Sequence, residues 1–93
     1  MFLSKENNEL FDAFAKSALA AGNLDIKTKA LIALSVSVSV DCIPCIKSYY
    51  KKAIDSGAGK EEISETLAIA MAVSAGSKRA KYAPVIEELR GNI

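Results

Sequence analysis

KALIALSVSVSVDCIPC, from Lys29 to Cys45, is the stretch on which the fold class of this chain depends. Its middle, Ser35 to Val40, alternates serine and valine with a period of two, which by local pattern is typical of a β-strand. The stretch has no turn signal before Ser35, however, and a single strand among helices would leave its backbone hydrogen bonds without partners. We therefore predict a helix from a cap at Asp25 to about Val40, whose small serines allow burial on nearly every side.

Capping signals predict helices on either side of this stretch. Ser4 is suited to be the N-cap of a first helix, which continues through good helix formers and stops at Gly22. Asp41 is suited to cap a third helix, because Pro44 would then lie in the first turn, where a missing backbone N–H does no harm. Gly57 marks the end of this third helix.

The rest of the chain carries further helix signals. A fourth helix is predicted to begin near Lys60 and to end at Gly76, and the remainder forms a helix that Pro84 interrupts or restarts. No linker, repeat or low-complexity segment divides the sequence. We therefore predict an all-α fold, in which residues 1–93 form a single compact domain of about five helices.

The composition predicts a soluble protein that assembles with copies of itself. Apolar residues make up 51% of only 93 residues, which is hard to bury in so short a chain, so we expect a homo-oligomer. The 12 basic and 11 acidic residues nearly cancel, which argues against nucleic-acid binding. The charged N-terminus lacks a secretory core, and Ala30–Val40 is too short to span a bilayer. We expect a cytoplasmic protein that does not bind membranes.

Cys42 and Cys45 form the one feature of the sequence that suggests chemistry. In a reducing cytoplasm, a Cys-x-x-Cys pair favours a catalytic, redox or metal-binding role over a structural disulfide. If Asp41 is the N-cap, Cys42 lies in the first helical turn, where unpaired N–H groups and the helix dipole stabilise a thiolate. Cys45 follows one turn later, close enough to form a reducible disulfide with it. Such a pair could exchange disulfides, or reduce a peroxide through a sulfenic acid.

Other interpretations of these residues stay open. Both cysteines could be buried as small hydrophobic residues on the apolar face of the third helix. A zinc site needs four ligands, and the chain has two cysteines and no histidine, so a zinc ion would have to be shared across a dimer interface. We predict neither a metal nor a cofactor. Tyr49, one turn after Cys45, could donate a hydrogen bond to a thiolate or a peroxide, or could be a core or interface residue.

Three segments of the sequence occur in an order and at a spacing that are specific to one protein family. They are the run that begins at Lys29, the pair Cys42 and Cys45 followed by isoleucine, and the segment Ala53–Ile63 with the pattern A-x-x-x-G-A-x-K-E-E-I. Together they resemble the carboxymuconolactone decarboxylase superfamily, and within it the AhpD-like alkylhydroperoxidase branch, over about residues 10–75. The resemblance implies a helical fold assembled into trimers or hexamers. It also implies a disulfide-cycling site at the two cysteines that acts on hydroperoxides or disulfides and is re-reduced by a dithiol or protein partner.

Two positions depart from the pattern of that branch. The branch typically has a histidine four residues after the second cysteine, where this chain has Tyr49, and a glutamate twelve residues before the first, where it has Ala30. In the branch these two groups form a proton relay, and general acid–base assistance is worth about two to four orders of magnitude in rate. The resemblance makes Cys45, next to Tyr49, the thiol to be activated. Helix position favours Cys42 instead, so the order of attack stays open.

The leading hypothesis is therefore an enzyme, a thiol–disulfide oxidoreductase of the peroxidase or disulfide-reductase type with an antioxidant role. One alternative is a helical oligomeric scaffold or binding protein with structural cysteines, which the missing relay favours. A second is a carboxymuconolactone decarboxylase-like enzyme, whose reaction calls for an acid–base residue, commonly the histidine that this chain lacks. A third is a small-molecule enzyme that uses the oligomer interface as its pocket, with the tyrosines as its polar groups: Tyr49, Tyr50 and Tyr82.

Overall fold

Four α-helices form the part of the chain that the structure, a computed structural model, describes: residues 2–91. In chain order they are α1 (Lys5–Leu19), α2 (Ile26–Ser39), α3 (Ile43–Asp55) and α4 (Lys60–Gly91). The predicted all-α class is confirmed, and within the described range no residue is in a strand. The predicted number of about five helices is wrong, because the fourth and fifth predicted helices form one continuous helix, α4.

The length of α4 explains this difference. This helix has 32 residues and passes through both Gly76 and Pro84. The φ angle of Gly76 is not positive, so the residue does not make the left-handed turn by which glycine ends a helix. Pro84 removes one backbone N–H from the helix, but every residue from Ser77 to Gly91 is exposed. Water can therefore satisfy the carbonyl group that loses its partner.

The period-two segment of α2 is helical, as predicted, because its serines bond within the helix. The hydroxyl of Ser37 donates to the Ala33 carbonyl at 2.7 Å, and that of Ser39 donates to the Ser35 carbonyl at 3.0 Å. Ser37 is only 3% exposed, so this bond satisfies a hydroxyl that would otherwise be costly to bury. The predicted cap at Asp25 is also confirmed, since its carboxylate accepts the Thr28 N–H at 2.8 Å.

The core lies where α3 and the start of α4 pack against α2. Its buried residues come from all three helices and the α3–α4 turn: Ala30, Leu34, Ala53, Ala58 and Ile63. Around them pack four partly buried side chains: Leu31, Ile46, Tyr49 and Leu67. Most of the buried residues are alanines, so the backbones of the helices can approach closely but the apolar volume of the core is small.

Two polar contacts fix the position of α2 against its neighbours. The Lys29 ammonium donates to the carbonyl of Ala18 at 3.0 Å, in the last turn of α1. The Lys27 ammonium pairs with the Glu62 carboxylate at 2.9 Å, which joins the starts of α2 and α4. The hydrogen bond within this ion pair is the largest cause that raises the pKa of Lys27 and lowers the pKa of Glu62. The charge of Glu62 raises the pKa of Lys27 further, and a hydrogen bond from the Gly59 N–H lowers that of Glu62 further.

The single chain is less compact than predicted. Its radius of gyration is 17.9 Å, against about 12 Å for a compact chain of this length. The α1 face exposes three large apolar side chains: Leu10, Phe11 and Phe14. The α4 face, on the C-terminal half of that helix, exposes four more: Tyr82, Val85, Ile86 and Leu89. Among the described residues, no helix combines the length and the apolar character that a membrane span requires.

Candidate functional site: the thiol pair at the start of α3

A Schellman motif joins α2 to α3 and fixes the backbone of Cys42. The C-cap of α2 is Val40, and the next residue, Asp41, has a left-handed backbone with φ of 58°. The N–H of Asp41 donates to the Val38 carbonyl at 3.2 Å, and that of Cys42 donates to the Ser37 carbonyl at 3.0 Å. These are the two hydrogen bonds of the motif. The last turn of α2 therefore holds the backbone from which the Cys42 side chain extends.

Cys42 itself is the N-cap of α3. Its backbone is extended and its Sγ accepts the backbone N–H of Cys45 at 3.3 Å. The prediction that Asp41 caps this helix is wrong, because Asp41 belongs to the end of α2 and its left-handed backbone cannot start α3. Pro44 lies in the first turn, as predicted. Because proline has no N–H, Cys45 supplies the backbone donor that the cap accepts.

The two cysteines are close enough to be covalently joined. In the structure they form a disulfide, with Cα atoms 5.2 Å apart, well inside the range that disulfides require. Both residues are partly exposed rather than buried. Neither cysteine therefore belongs to the buried core, and an incoming reagent can reach the pair. Thiol–disulfide exchange and peroxide reduction both require such access.

Tyr49 lies one turn after Cys45 and packs against the buried core cluster. Ala30 is a member of that cluster and is 1% exposed. The two positions at which the sequence departs from the AhpD-like pattern thus both belong to the core region. Tyr49 packs against the core cluster, and Ala30 is buried within it. Neither position therefore provides an imidazole or a carboxylate that could act on the thiols.

A groove adjoins the cysteine-bearing loop on the side of α4. It has a volume of about 520 Å³ and runs between the end of α2 and the middle of α4. Polar groups line part of it: Ser39, Asp41, Ser74, Ser77 and Lys78. The hydroxyls of Ser39 and Ser74 are 3.4 Å apart across it. Sequence reasoning missed this groove, because nothing in the local pattern shows that the middle of α4 lies beside residue 41.

Metal binding has no candidate cluster in the described range. Within residues 2–91, no three or more side chains of His, Cys, Asp or Glu are placed to hold a metal ion together.

Comparisons with known proteins identify relatives of this chain. The sequence profile of the carboxymuconolactone decarboxylase family matches residues 5–88. A Paracoccus denitrificans protein, known as uncharacterized protein 4 in cox locus, is 36% identical over 87 residues, which are 90% of this chain and 78% of that protein.

Solved structures show the same fold. A carboxymuconolactone decarboxylase family protein from Thermotoga maritima, described with a possible involvement in the antioxidative response, superposes with a TM-score of 0.74 at 27% identity. That match covers 98% of this chain and 100% of the other. A member of the same family from Legionella pneumophila, in its apo form, gives a TM-score of 0.67 at 33% identity, over 90% of this chain and 80% of that one. With its profile match, its helical fold and its Cys-x-x-Cys pair at the start of α3, this chain belongs to the carboxymuconolactone decarboxylase family.

Proposed function

We propose that this chain is an AhpD-like thiol–disulfide oxidoreductase that reduces hydroperoxides through Cys42 and Cys45 and has an antioxidant role. The observation that carries the proposal is the position of the pair. Cys42 caps α3, its Sγ accepts the Cys45 N–H, and the two sulfur atoms lie within bonding distance of each other. The family relative from Thermotoga maritima, with its possible involvement in the antioxidative response, supports the same class of activity.

The overall reaction balances without a metal or cofactor. One hydroperoxide and two cysteine thiols give one alcohol, one water molecule and the Cys42–Cys45 disulfide. A dithiol or a protein thiol pair then reduces this disulfide by two successive exchange steps and becomes a disulfide itself. A reducing compartment such as the cytoplasm supplies this reductant. A protein disulfide in place of the hydroperoxide would be reduced by the same two thiols.

Turnover is expected to be slow. The relay positions hold Ala30 and Tyr49, and the chain contains no histidine. The loss of general acid–base assistance costs about two to four orders of magnitude in rate. The start of α3 still stabilises a thiolate, and we expect this to be the only activation of the thiols during peroxide reduction.

We also propose that the functional form is a homo-oligomer, a trimer or a hexamer. The apolar α1 and α4 faces support this, as does a radius of gyration of 17.9 Å for the single chain. Apolar faces of this extent are costly to leave in water, and contact between copies covers them.

The test measures hydroperoxide consumption by the purified protein with dithiothreitol as the dithiol. Wild type should consume cumene hydroperoxide faster than the dithiol alone, and the double variant, Cys42→Ser with Cys45→Ser, should fall to that background. A companion measurement of the reduction potential, by equilibration with dithiol buffers and mass-tagging, should give a value of roughly −200 to −280 mV. Equal rates for wild type and the double variant would refute the proposal, as would a potential below about −300 mV.

The absence of the relay favours one second candidate, a scaffold or binding protein whose disulfide is structural. This candidate predicts that reduction of the disulfide changes the mass of the oligomer and the free energy of unfolding. The oxidoreductase predicts that both forms have the same mass, because a cycling pair must pass through both. Light scattering on the oxidised and the reduced protein separates the two.

A further inference from the structure

We infer that the C-terminal half of α4 binds the same segment of a second copy of this chain, with the two helices antiparallel and related by a two-fold axis. This inference rests on the homo-oligomer proposed above, and it names one contact through which the copies associate. Three features of residues 77–91 support it: their projection past α2, the apolar α4 face, and the charges along one edge of that face.

The first feature is the projection of α4 past the helix on which it packs. The Lys27 ammonium contacts the Glu62 carboxylate near the starts of the two helices, and the hydroxyls of Ser39 and Ser74 meet at the end of α2. Both pairs join residues 35 positions apart in the chain, so α2 and α4 run side by side in the same direction. Residues 77–91 therefore continue past the end of α2 for about 22 Å, at a rise of about 1.5 Å per residue. All of them are exposed.

The second feature is the apolar α4 face on this projecting segment. Its four side chains recur at intervals of three and four residues, which places them on one side of the helix: Tyr82, Val85, Ile86 and Leu89. Each of them is between 45% and 56% exposed, so this face is in contact with water on the single chain. Apolar side chains at this spacing are the pattern by which one helix packs along another.

The third feature is the charge along one edge of the α4 face. Lys81 and Glu88 are separated by about two helical turns, so they lie on the same edge. The Lys81 ammonium is 5.4 Å from the centre of the Tyr82 ring, which places this lysine beside the apolar face. Neither Lys81 nor Glu88 belongs to an ion pair within residues 2–91. This edge therefore offers one positive and one negative group to a partner.

The same edge is complementary to itself when two copies run antiparallel. A two-fold axis perpendicular to the helices brings the same edge of each helix together in reverse order, so each contact occurs twice. When Val85 of one copy packs against Tyr82 of the other, Lys81 meets Glu88 of the other copy and Glu88 meets its Lys81. A parallel pairing would instead set lysine at the height of lysine and glutamate at the height of glutamate, and it would form neither ion pair.

The other charged side chains of the segment are compatible with this pairing. Arg79 lies on the opposite edge of the α4 face, where its aliphatic stem covers Ile86 of the second copy and its guanidinium stays in water. Lys78 lies at the outer end of the overlap, where its ammonium also reaches water. Glu87 and Arg90 are further from the apolar face and contact each other at 3.8 Å. The pairing therefore buries no charge without a partner.

This contact also determines the parity of the assembly. A contact that joins equivalent copies two by two requires an even number of copies in a closed assembly. Of the trimer and the hexamer proposed above, it therefore requires the hexamer. The apolar α1 face remains available for contacts within each half of that assembly.

The experiment reverses the two charges in separate variants of the whole protein and measures the mass by light scattering at low ionic strength, where charges are least screened. Lys81→Glu and Glu88→Lys each make both contacts repulsive, so each should halve the mass of the assembly. An equimolar mixture of these two variants places opposite charges at both contacts again and should restore the wild-type mass. Glu87→Lys makes the same charge change on the far side of the helix and should leave the mass unchanged.

The outcomes separate this contact from the oligomer on which it rests. A wild-type trimer would overturn the two-fold pairing and leave the oligomer standing, and so would a hexamer whose mass neither charge reversal lowers. A mixture that fails to restore the mass would overturn the antiparallel alignment. A wild-type dimer that both reversals dissociate would support the pairing and refute the trimer and the hexamer. A wild-type monomer would remove the oligomer and this contact together. Circular dichroism of the variants should match wild type, because the substituted residues are exposed.

Discussion

Asp41 and Gly57 occupy the same position in two Schellman motifs, one at the end of α2 and one at the end of α3. Both have a left-handed backbone, with φ of 58° and 97°. In each motif the following residue donates its N–H back to the helix, Cys42 to Ser37 and Ala58 to Ala53. Glycine is the usual residue at this position. The turn between α2 and α3 thus has an aspartate at the left-handed position, whereas the turn between α3 and α4 has a glycine there.

Substitutions at these two positions should change the free energy of unfolding in opposite directions. Asp41→Gly removes the cost of a left-handed side-chain-bearing residue and should raise the free energy of unfolding by about 0.5–1 kcal/mol. Gly57→Ala should lower it by about 1 kcal/mol. A Cβ at position 57 would have no atom within 4 Å, so this loss reports the backbone alone. Urea denaturation at one fixed protein concentration measures both, and a loss of stability in Asp41→Gly would contradict the argument.

The charge of Asp41 should restrain the reactivity of Cys42. A carboxylate a few ångströms from a thiolate, with water between them, raises the free energy of the thiolate. The increase corresponds to about a two- to threefold change in the rate at which the thiolate reacts. In the Cys45→Ser background, Asp41→Asn should therefore speed iodoacetamide alkylation of Cys42 at pH 7 by about two- to threefold. Asparagine tolerates the same left-handed backbone, and Asp12→Asn on α1 is the matched control. An unchanged or slower rate in Asp41→Asn would show that its charge does not act on the sulfur.

Local sequence signals were sufficient to predict most of the helices but not the junction at the thiols. Asp25 and Ser4 cap the helices that they were predicted to cap. Asp41 carries the same signal yet ends α2, because an aspartate can cap a helix or adopt a left-handed backbone, and only the path of the chain decides between them. Pro84 is a breaker by local rule, but an exposed helix end tolerates it. The groove depends on residues 38–41 and 71–78 meeting in space, which no local pattern records.

Tyr49 should contribute packing rather than acid–base chemistry. Tyr49→Phe keeps the ring against the core cluster, so we expect hydroperoxide consumption within about twofold of wild type and little change in stability. Tyr49→Ala removes the ring and should lower the free energy of unfolding by about 2–4 kcal/mol. Denaturation and peroxide assays on the same two variants check this. A drop of tenfold or more in the rate of Tyr49→Phe would instead assign the hydroxyl a part in the reaction.

The Lys27–Glu62 ion pair should make stability depend on pH at both extremes. The pKa of Glu62 is lowered below its ordinary 4.5, so its contribution is present above that pH and is lost as the pH falls through the folded value. The pKa of Lys27 is raised above 10.5, so its contribution is present below that pH and is lost as the pH rises through the folded value. The pair therefore stabilises the fold across the neutral range.

Glu62→Gln tests this pair cleanly. Glutamine still accepts the Gly59 N–H, which Glu62 Oε1 accepts at 3.0 Å, so the start of α4 keeps its cap and only the charge is lost. The gap in unfolding free energy between wild type and variant should be constant near pH 7, shrink as the pH falls below 4.5, and shrink in 1 M salt. A gap that persists unchanged at pH 2 would show that the charge of Glu62 is not its source.

The α4 face should be the surface through which copies of this chain associate. A charge placed there would have to be buried against the partner without a counter-ion, which is costly. Val85→Lys and Leu89→Lys should therefore lower the mass measured by light scattering, at micromolar concentration, from that of a trimer or hexamer towards that of a single chain. Ala80→Lys adds the same charge on the opposite side of this exposed helix and should leave the mass unchanged. If all three variants keep the wild-type mass, the α4 face is not an interface, and a wild-type protein that is already monomeric would remove the proposed oligomer altogether.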